Sequence, residues 1–377
     1  MVKDLILFGD CKNTLKQFPR GSAQMCVTSP PYYGLRDYGT ATWIGGDPNC
    51  NHMRDSKVNP DHCITGHKNH DQMSGVGDAI YKTVCPKCGA IRQDSQIGLE
   101  ETPEEFIESL VEVFREVRDV LADDGVLWVN IGDSYYNYRP GTGGLPKQTV
   151  SRTNQDLPEE CNRRANKLDG LKEKDMIGIP WMLAFALRAD GWYLRQDIIW
   201  HKPNPMPESV RDRCTKSHEY IFLLSKNKKY YYDHEAIKEK AVGERWGGNT
   251  PINMGNTKDT DNQFSGLTRE RKMVYDKRNK RSVWKVNCKP YRGAHFAVYP
   301  PELIEPCILA GSEKGDIVLD PFMGSGTTAM VAKSLGRDYI GCELHEDYGN
   351  LIQKRVDEYH PVTEVTHSPI LDAINQV

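Results

Sequence analysis

Seven short apolar runs, bounded by turn residues and separated by stretches of helical periodicity, constrain the fold of this chain more than any other feature. They lie at 4–9 (Leu5-Ile6-Leu7-Phe8), 23–28 (Met25-Cys26-Val27), 125–132 (Val126-Leu127-Trp128-Val129), 193–201, 219–225, 316–321 and 337–343. Runs of this kind mark strands buried on both faces. The clearest helix between them opens at Thr102-Pro103-Glu104-Glu105, where a Thr cap, a Pro at the first helical position and a Glu make a capping box. Phe106, Leu110, Val113, Val117 and Leu121 then recur at helical spacing, and Gly125 is expected to follow the helix end. Strands alternating with helices predict an α/β protein with helices on both faces of a mostly parallel sheet.

Composition narrows the setting. A chain of 377 residues, 38% hydrophobic and 27% charged, can bury a core. No apolar run approaches the roughly 20 residues needed to span a bilayer, and the N-terminal residues lack a signal-peptide core, so no membrane association and a cytoplasmic location are expected. In that reducing compartment the 11 cysteines point to metal binding before disulfides. A net charge of −3 argues against a protein that coats nucleic acid by bulk charge, while leaving room for a local basic face.

Two stretches break the rhythm. Residues 40–98, rich in Asn, Asp, His, Gly and Cys, read as an insertion. Its Cys85-Pro86-Lys87-Cys88-Gly89 is a Cys-x-x-Cys knuckle, and Cys50-Asn51-His52 supplies two further soft ligands. Cys50, His52, Cys85 and Cys88 are therefore the expected ligands of a structural Zn2+, with Cys63, His62, His67 and His70 as rivals for the upstream pair. Residues 227–292 are polar and basic. Within 269–285 stand eight basic residues, among them Arg278, Lys280 and Arg281, against Glu270 and Asp276, a candidate phosphate-contacting surface or a solvated charged loop.

Two turns carry chemistry. Asp316-Ile317-Val318-Leu319-Asp320 reads as a strand, Pro321-Phe322-Met323-Gly324-Ser325-Gly326 as a tight turn, and Thr327-Thr328-Ala329 as a helix start. Glycines allow close backbone approach, and a helix N-terminus offers free N–H groups to an anion. The pattern also suits a nicotinamide- or flavin-binding turn. No Lys-Ser/Thr follows, which excludes a Walker-type loop. Asp320, with Glu343 ending the next strand, suits a ligand bearing an amino-acid head and a ribose. The other turn is Ser29-Pro30-Pro31-Tyr32, directly after a buried strand. Two prolines fix backbone and carbonyls at the strand's carboxyl edge. Beside the Ser29 hydroxyl and the Tyr32 ring, they make a place for the exocyclic amino group of a flat base.

Together, Ser29-Pro30-Pro31-Tyr32 and Asp320-Pro321-Phe322-Met323-Gly324-Ser325-Gly326-Thr327-Thr328 resemble the motif pair of S-adenosylmethionine-dependent DNA amino-methyltransferases, in the permuted order called the beta class. Gly9-Asp10-Cys11 resembles the motif whose aspartate contacts the cofactor adenine. His295-Phe296-Ala297-Val298-Tyr299-Pro300 resembles the cofactor-side motif, placing Phe296 and Pro300 near the cofactor. Val129-Asn130-Ile131-Gly132-Asp133 resembles the next strand-end motif, with Asp133 lining the pocket. Trp200 to Ser209, with His218-Glu219-Tyr220, resembles the cytosine-N4 members; adenine-N6 methylation remains open, as does a non-catalytic zinc-stabilised nucleic-acid-binding module.

The resemblance implies a Rossmann-like methyltransferase fold with a seven-stranded, mostly parallel sheet and a circularly permuted chain. Residues 1–39 and 99–226 form the base-binding half, 40–98 the zinc insertion, 227–292 the target-recognition region, 293–360 the cofactor half and 361–377 a tail. It implies S-adenosylmethionine as cofactor and double-stranded DNA as partner. Arg36, Lys202, Arg211 and Arg213 are further DNA-contacting candidates, and a cognate restriction endonuclease and a homodimer are further expectations. If the permutation holds, strand 4–9 lies beside the strand ending in Glu343.

Overall fold

The computed structural model describes residues 3–34, 42–52, 84–93, 96–136, 168, 170–241, 277–289 and 299–358. Twelve strands are assigned among them: β1 (Leu5–Phe8), β2 (Ala23–Thr28), β3 (Thr42–Ile44), β4 (Ile91–Gln93), β5 (Leu121–Ile131), β6 (Tyr193–His201), β7 (His218–Ser225), β8 (Glu239–Lys240), β9 (Lys277–Arg278), β10 (Val283–Lys285), β11 (Ile317–Asp320) and β12 (Asp338–Glu343). The helices are α1 (Cys11–Thr14), α2 (Pro103–Val120), α3 (Ile179–Ala189), α4 (Pro301–Gly311), α5 (Thr327–Ser334) and α6 (Tyr348–Glu358).

One sheet dominates, in the order β1-β12-β11-β2-β5-β7-β6-β10, with β7 its lone antiparallel strand among the described residues. The first strand of the chain pairs in parallel with the last, Leu5 opposite Ile340 and Phe8 opposite Glu343, as the permuted order requires. Strands succeed one another outward in opposite directions from the boundary between β11 and β2. That boundary is a topological switch point, where open α/β sheets leave a crevice at the strands' carboxyl ends.

Two apolar layers sandwich the sheet. One face packs on α2 and α3 through Phe106, Leu110, Phe114, Leu183 and Leu187, and the other on α4 and α5 through Leu303, Cys307, Ile308 and Met330. The expected capping box is present: Thr102 accepts from the Glu105 N–H, and Glu105 accepts from the Thr102 N–H.

Three expectations are corrected. The sheet has eight strands, not seven, because Val283-Trp284-Lys285 adds a parallel edge strand beside β6. With Val283 and Lys285 exposed and Trp284 buried inside a charged run, it gave no apolar signal. Gly125 does not end α2. The chain turns extended at Leu121 and runs directly into β5, where the register shifts between the Ala23/Leu121 and Met25/Val126 pairs, and Gly125 sits in that irregularity. A Cβ there would lie 2.9 Å from the Ala122 carbonyl oxygen. Finally, β1 and β6 are not buried on both faces; Phe8, Tyr193, Arg195, Gln196 and Asp197 are exposed. The insertion stands apart as the small antiparallel ribbon β3-β4. No described helix is long and apolar enough to cross a membrane.

Candidate active site

Parallel strands β1, β12, β11 and β2 end side by side at Phe8, Glu343, Asp320 and Thr28, so their carboxyl edges bring the two motif turns together. At the switch point the turns are stitched by one hydrogen bond, from Thr28 Oγ1 to Asp320 Oδ1 at 2.6 Å. Asp320 is 1% exposed. It also accepts from the Phe322 N–H (3.0 Å), Thr328 Oγ1 (2.5 Å) and Tyr299 Oη (3.2 Å). Burial raises its pKa, against the pull of these donors. The carboxylate therefore braces the glycine turn from inside instead of reaching a ligand.

Glu343 behaves similarly. Its Oε2 accepts from the Gly324 N–H at 2.7 Å and its Oε1 from the His345 N–H at 3.0 Å, while burial raises its pKa. Each oxygen keeps a lone pair for a ribose hydroxyl. Gly324 and Gly326 both have positive φ, +55° and +79°. At Gly326, however, a Cβ would lie 2.6 Å from Ile352 Cγ2, so this glycine answers to α6 packing and not to ligand space alone. Pro321 is buried and Phe322 half-buried. Ser325 is buried and bonded by Arg355 Nη1 at 2.5 Å. Thr327, first residue of α5, holds a buried Oγ1 with no partner. An orphan hydroxyl at a glycine-bounded helix N-terminus fits the carboxylate end of an amino-acid-bearing cofactor. Asp10 caps α1 through the Lys12 N–H at 3.0 Å, beside the Gly9 N–H bonded to the Glu343 carbonyl. Pro300 caps α4, and Phe296 lies outside the described residues.

The Ser-Pro-Pro-Tyr loop follows β2 directly. Pro30 is buried, while Ser29, Pro31 and Tyr32 are half-buried. The Tyr32 hydroxyl donates to Glu219 Oε2 at 2.8 Å and is also hydrogen-bonded to the Ser29 hydroxyl. Burial, followed by the Glu219 charge, pushes its pKa well above the ordinary phenol value. Glu219, on β7, also receives Lys202 Nζ and, at 3.4 Å, Asn130 Nδ2. Gly132 completes the wall, since a Cβ there would lie 2.7 Å from Tyr32 Cε2. Sequence reasoning missed Glu219 and Asn130 as site residues; the only signal was their place inside strand-end segments already quoted.

Other candidates are redistributed. Asp133 does not line the pocket: its Oδ1 accepts from Ser134, Gly178 and Ile179 N–H groups at 3.0, 3.0 and 3.1 Å, capping α3, whose own N-cap is glycine. Lys202 lies 4.3 Å from the Trp200 ring centroid and pairs with Glu219, placing it in the pocket wall. Arg213 pairs with Glu208 at 2.6 Å and covers the Tyr135 ring, and Arg211 is exposed. Arg278 and Arg281 share Glu239, at 2.8 and 2.6 Å, and Lys280 sits over Trp284. Arg36, Cys63, His62, His67 and His70 lie outside the described residues. Cys50, His52, Cys85 and Cys88 do converge, their ligand atoms all within 4.8 Å of one another. Cys11 and Cys26 are buried, and burial raises both thiols, as expected of packing residues.

Fold and site together define an open, doubly wound α/β protein in which a glycine turn and a proline-fixed loop meet at the switch point. The chain belongs to the N6/N4 DNA methylase family, whose model matches residues 23–354. It is 40% identical to the type II methyltransferase M.Cfr9I of Citrobacter freundii, over 92% of this chain and 86% of the relative. To the type II methyltransferase M.SmaI of Serratia marcescens it is 41% identical, over 93% and 90%. Among solved structures, PvuII DNA methyltransferase (cytosine-N4-specific) superposes with a TM-score of 0.52 at 15% identity, covering 100% of this chain and 93% of that one, a likeness of fold. The chain is thus a type II DNA methyltransferase of the N4/N6 kind.

Proposed function

We propose that this enzyme transfers the methyl group of S-adenosylmethionine to cytosine N4 of a base flipped from duplex DNA. The observation that carries the reading is the Thr28–Asp320 bond at the switch point, which holds the glycine turn and the Ser-Pro-Pro-Tyr loop at adjacent strand ends. The cofactor, when bound, supplies an electrophilic methyl group. The Gly324 to Thr327 turn is suited to its amino-acid end and Glu343 to its ribose. Asp10, next to Glu343, is suited to the adenine.

On the other side, Ser29 Oγ and the Pro30 carbonyl accept hydrogen bonds from the exocyclic amino group. They turn its lone pair out of conjugation and towards the methyl carbon. Tyr32 offers its aromatic face for stacking on the extruded base, its hydroxyl held by Glu219. In-line transfer would form the C–N bond as the C–S bond breaks, with S-adenosylhomocysteine as the leaving group and the amino nitrogen's proton passing to solvent. Glu219, paired with Lys202, acts as a positioning residue for Tyr32 and Ser29.

Cytosine is favoured over adenine by the small hydroxyl at Ser29, at the head of the loop, and by the resemblance of the Trp200 to Ser209 stretch to cytosine-N4 members. The M.SmaI and M.Cfr9I relatives support DNA as the substrate. The test is to react the purified protein with unmethylated genomic DNA and S-adenosylmethionine, digest the DNA to nucleosides and identify them by mass spectrometry. N4-methylcytosine is the expected product. N6-methyladenine alone would overturn the choice of base, and no methylated nucleoside would overturn the reading.

A further inference from the structure

Within residues 42–52 and 84–92 of the insertion only Cys85 and Ala90 are buried, and burial resumes at Gln96, Ile97 and Gly98, where the chain rejoins the main body. A segment so poor in core cannot be ordered by burial, yet it forms a paired ribbon and a defined knuckle. In the knuckle the Gly89 N–H bonds to the Cys85 carbonyl at 2.7 Å and the Cys85 N–H to the Ala90 carbonyl at 2.8 Å, with Gly89 at φ +75°.

The four side chains stand as they would around one ion. Cys50 Sγ and Cys85 Sγ are 3.8 Å apart, and Cys88 Sγ is 3.5 Å from His52 Nδ1. A tetrahedron with Zn–S bonds of about 2.3 Å and Zn–N bonds of about 2.05 Å has S···S edges of about 3.8 Å and S···N edges of about 3.6 Å. The spacing is too long for a disulfide and matches both kinds of edge. Backbone N–H groups of Ala90 and Asp47 face the Cys88 sulfur. A Cβ on Gly46 would lie 2.8 Å from that sulfur, so the chain passes tightly beside it. His52 takes φ +52°, uncommon for a non-glycine residue, and its ring stacks on Trp43 of β3 at 4.3 Å.

The insertion also has a fixed relation to the base loop. It leaves that loop at Gly34 and returns at Gly98, and the Gly34 N–H bonds to the Gly98 carbonyl at 2.9 Å. Gly98 has φ +104°, and a Cβ there would lie 3.0 Å from the Tyr32 carbonyl oxygen.

We infer that Cys50, His52, Cys85 and Cys88 bind one zinc ion in a closed structural site, and that this ion orders the insertion whose two ends are clasped against Tyr32. Three thiolates and an imidazole in tetrahedral array select zinc over harder divalent ions. With every position taken by protein the ion has no open place for substrate, so its role is to hold the chain. The link to the base loop rests on the function proposed above, whereas metal binding does not.

The full chain, purified without added metal, is expected to carry about one zinc per molecule by elemental analysis. Cys88→Ser should lose it, and Cys214→Ser, an exposed cysteine outside the cluster, should keep it. Replacing zinc by cobalt in the parent chain should give the visible bands of a tetrahedral cobalt thiolate, which needs no variant to fold. Chelation should speed proteolysis between residues 42 and 93 by about tenfold or more, while S-adenosylhomocysteine binding stays within about twofold. Absence of metal, iron in its place, or unchanged zinc in Cys88→Ser would each overturn the site. Metal-free protein with an equally resistant insertion would overturn its structural role. None of these readouts depends on methyl transfer.

Discussion

The glycine turn and the Ser-Pro-Pro-Tyr loop share one edge of the sheet but are held in opposite ways. The glycine turn is braced mostly by its own neighbourhood: Asp320 takes donors from Phe322 and Thr328, Glu343 takes the Gly324 N–H, and Gly326 lies against Ile352. The proline loop depends on distant residues. Tyr32 is pinned by Glu219, which sits 187 positions away and is itself held by Lys202 and Asn130. The difference teaches that the two proposed roles, cofactor binding and base positioning, should be separable by mutation, except at the one bond that joins the loops.

That joint sets the largest expected effect. Asp320→Ala leaves three hydroxyls and an N–H without their buried acceptor, which should lower stability by about 3 to 5 kcal/mol, read by urea unfolding. Both S-adenosylhomocysteine binding and methyl transfer should fall together, because both loops lose their brace. A smaller effect tests whether the glycine turn is shaped by packing or by ligand. Gly326→Val should cost about 1 to 3 kcal/mol through overpacking against Ile352. Adding Ile352→Ala should recover part of that stability and of cofactor affinity. If the double variant were no better than the single one, the left-handed backbone at Gly326 or ligand space, and not Ile352, would be the reason for the glycine.

The smallest effect lies outside both loops. Arg278 and Arg281 share the single carboxylate of Glu239, which offsets one of the three positive charges, so replacing Arg278, Lys280 and Arg281 by Gln should reduce the salt slope of DNA binding by about two. A drop near three would return the run to full phosphate contact.

What the sequence revealed follows the same division. The seven main strands, the capping box at Thr102, both motif turns and the convergence of Cys50, His52, Cys85 and Cys88 were legible, because each rests on a local spacing. The parallel pairing of β1 with β12 also followed, since a permuted order demands it. Asp133 was misread because a carboxylate at a strand end can face a ligand or a neighbouring helix. Only the fold shows the unprotected N–H groups of Gly178 and Ile179 arriving 45 residues later. Gly326 was read as making room for a ligand, and Ile352, which fills that space, lies on a helix no motif mentions. Beyond its place in a strand-end segment Glu219 carried no signal, because its partners come from the loop after β2, from β5 and from the residue after β6, and such side-chain pairing has no signature along the chain.

Glu219 is therefore where the separation of the two loops is most exposed. Glu219→Ala should bind S-adenosylhomocysteine within about twofold of the parent by calorimetry, while single-turnover methyl transfer to DNA slows about 100-fold through misplacement of Tyr32 and Ser29. Glu219→Gln, which keeps an acceptor for the Tyr32 hydroxyl, should recover part of the rate. Equal losses of cofactor affinity and transfer in Glu219→Ala, or no loss of rate at all, would contradict the account.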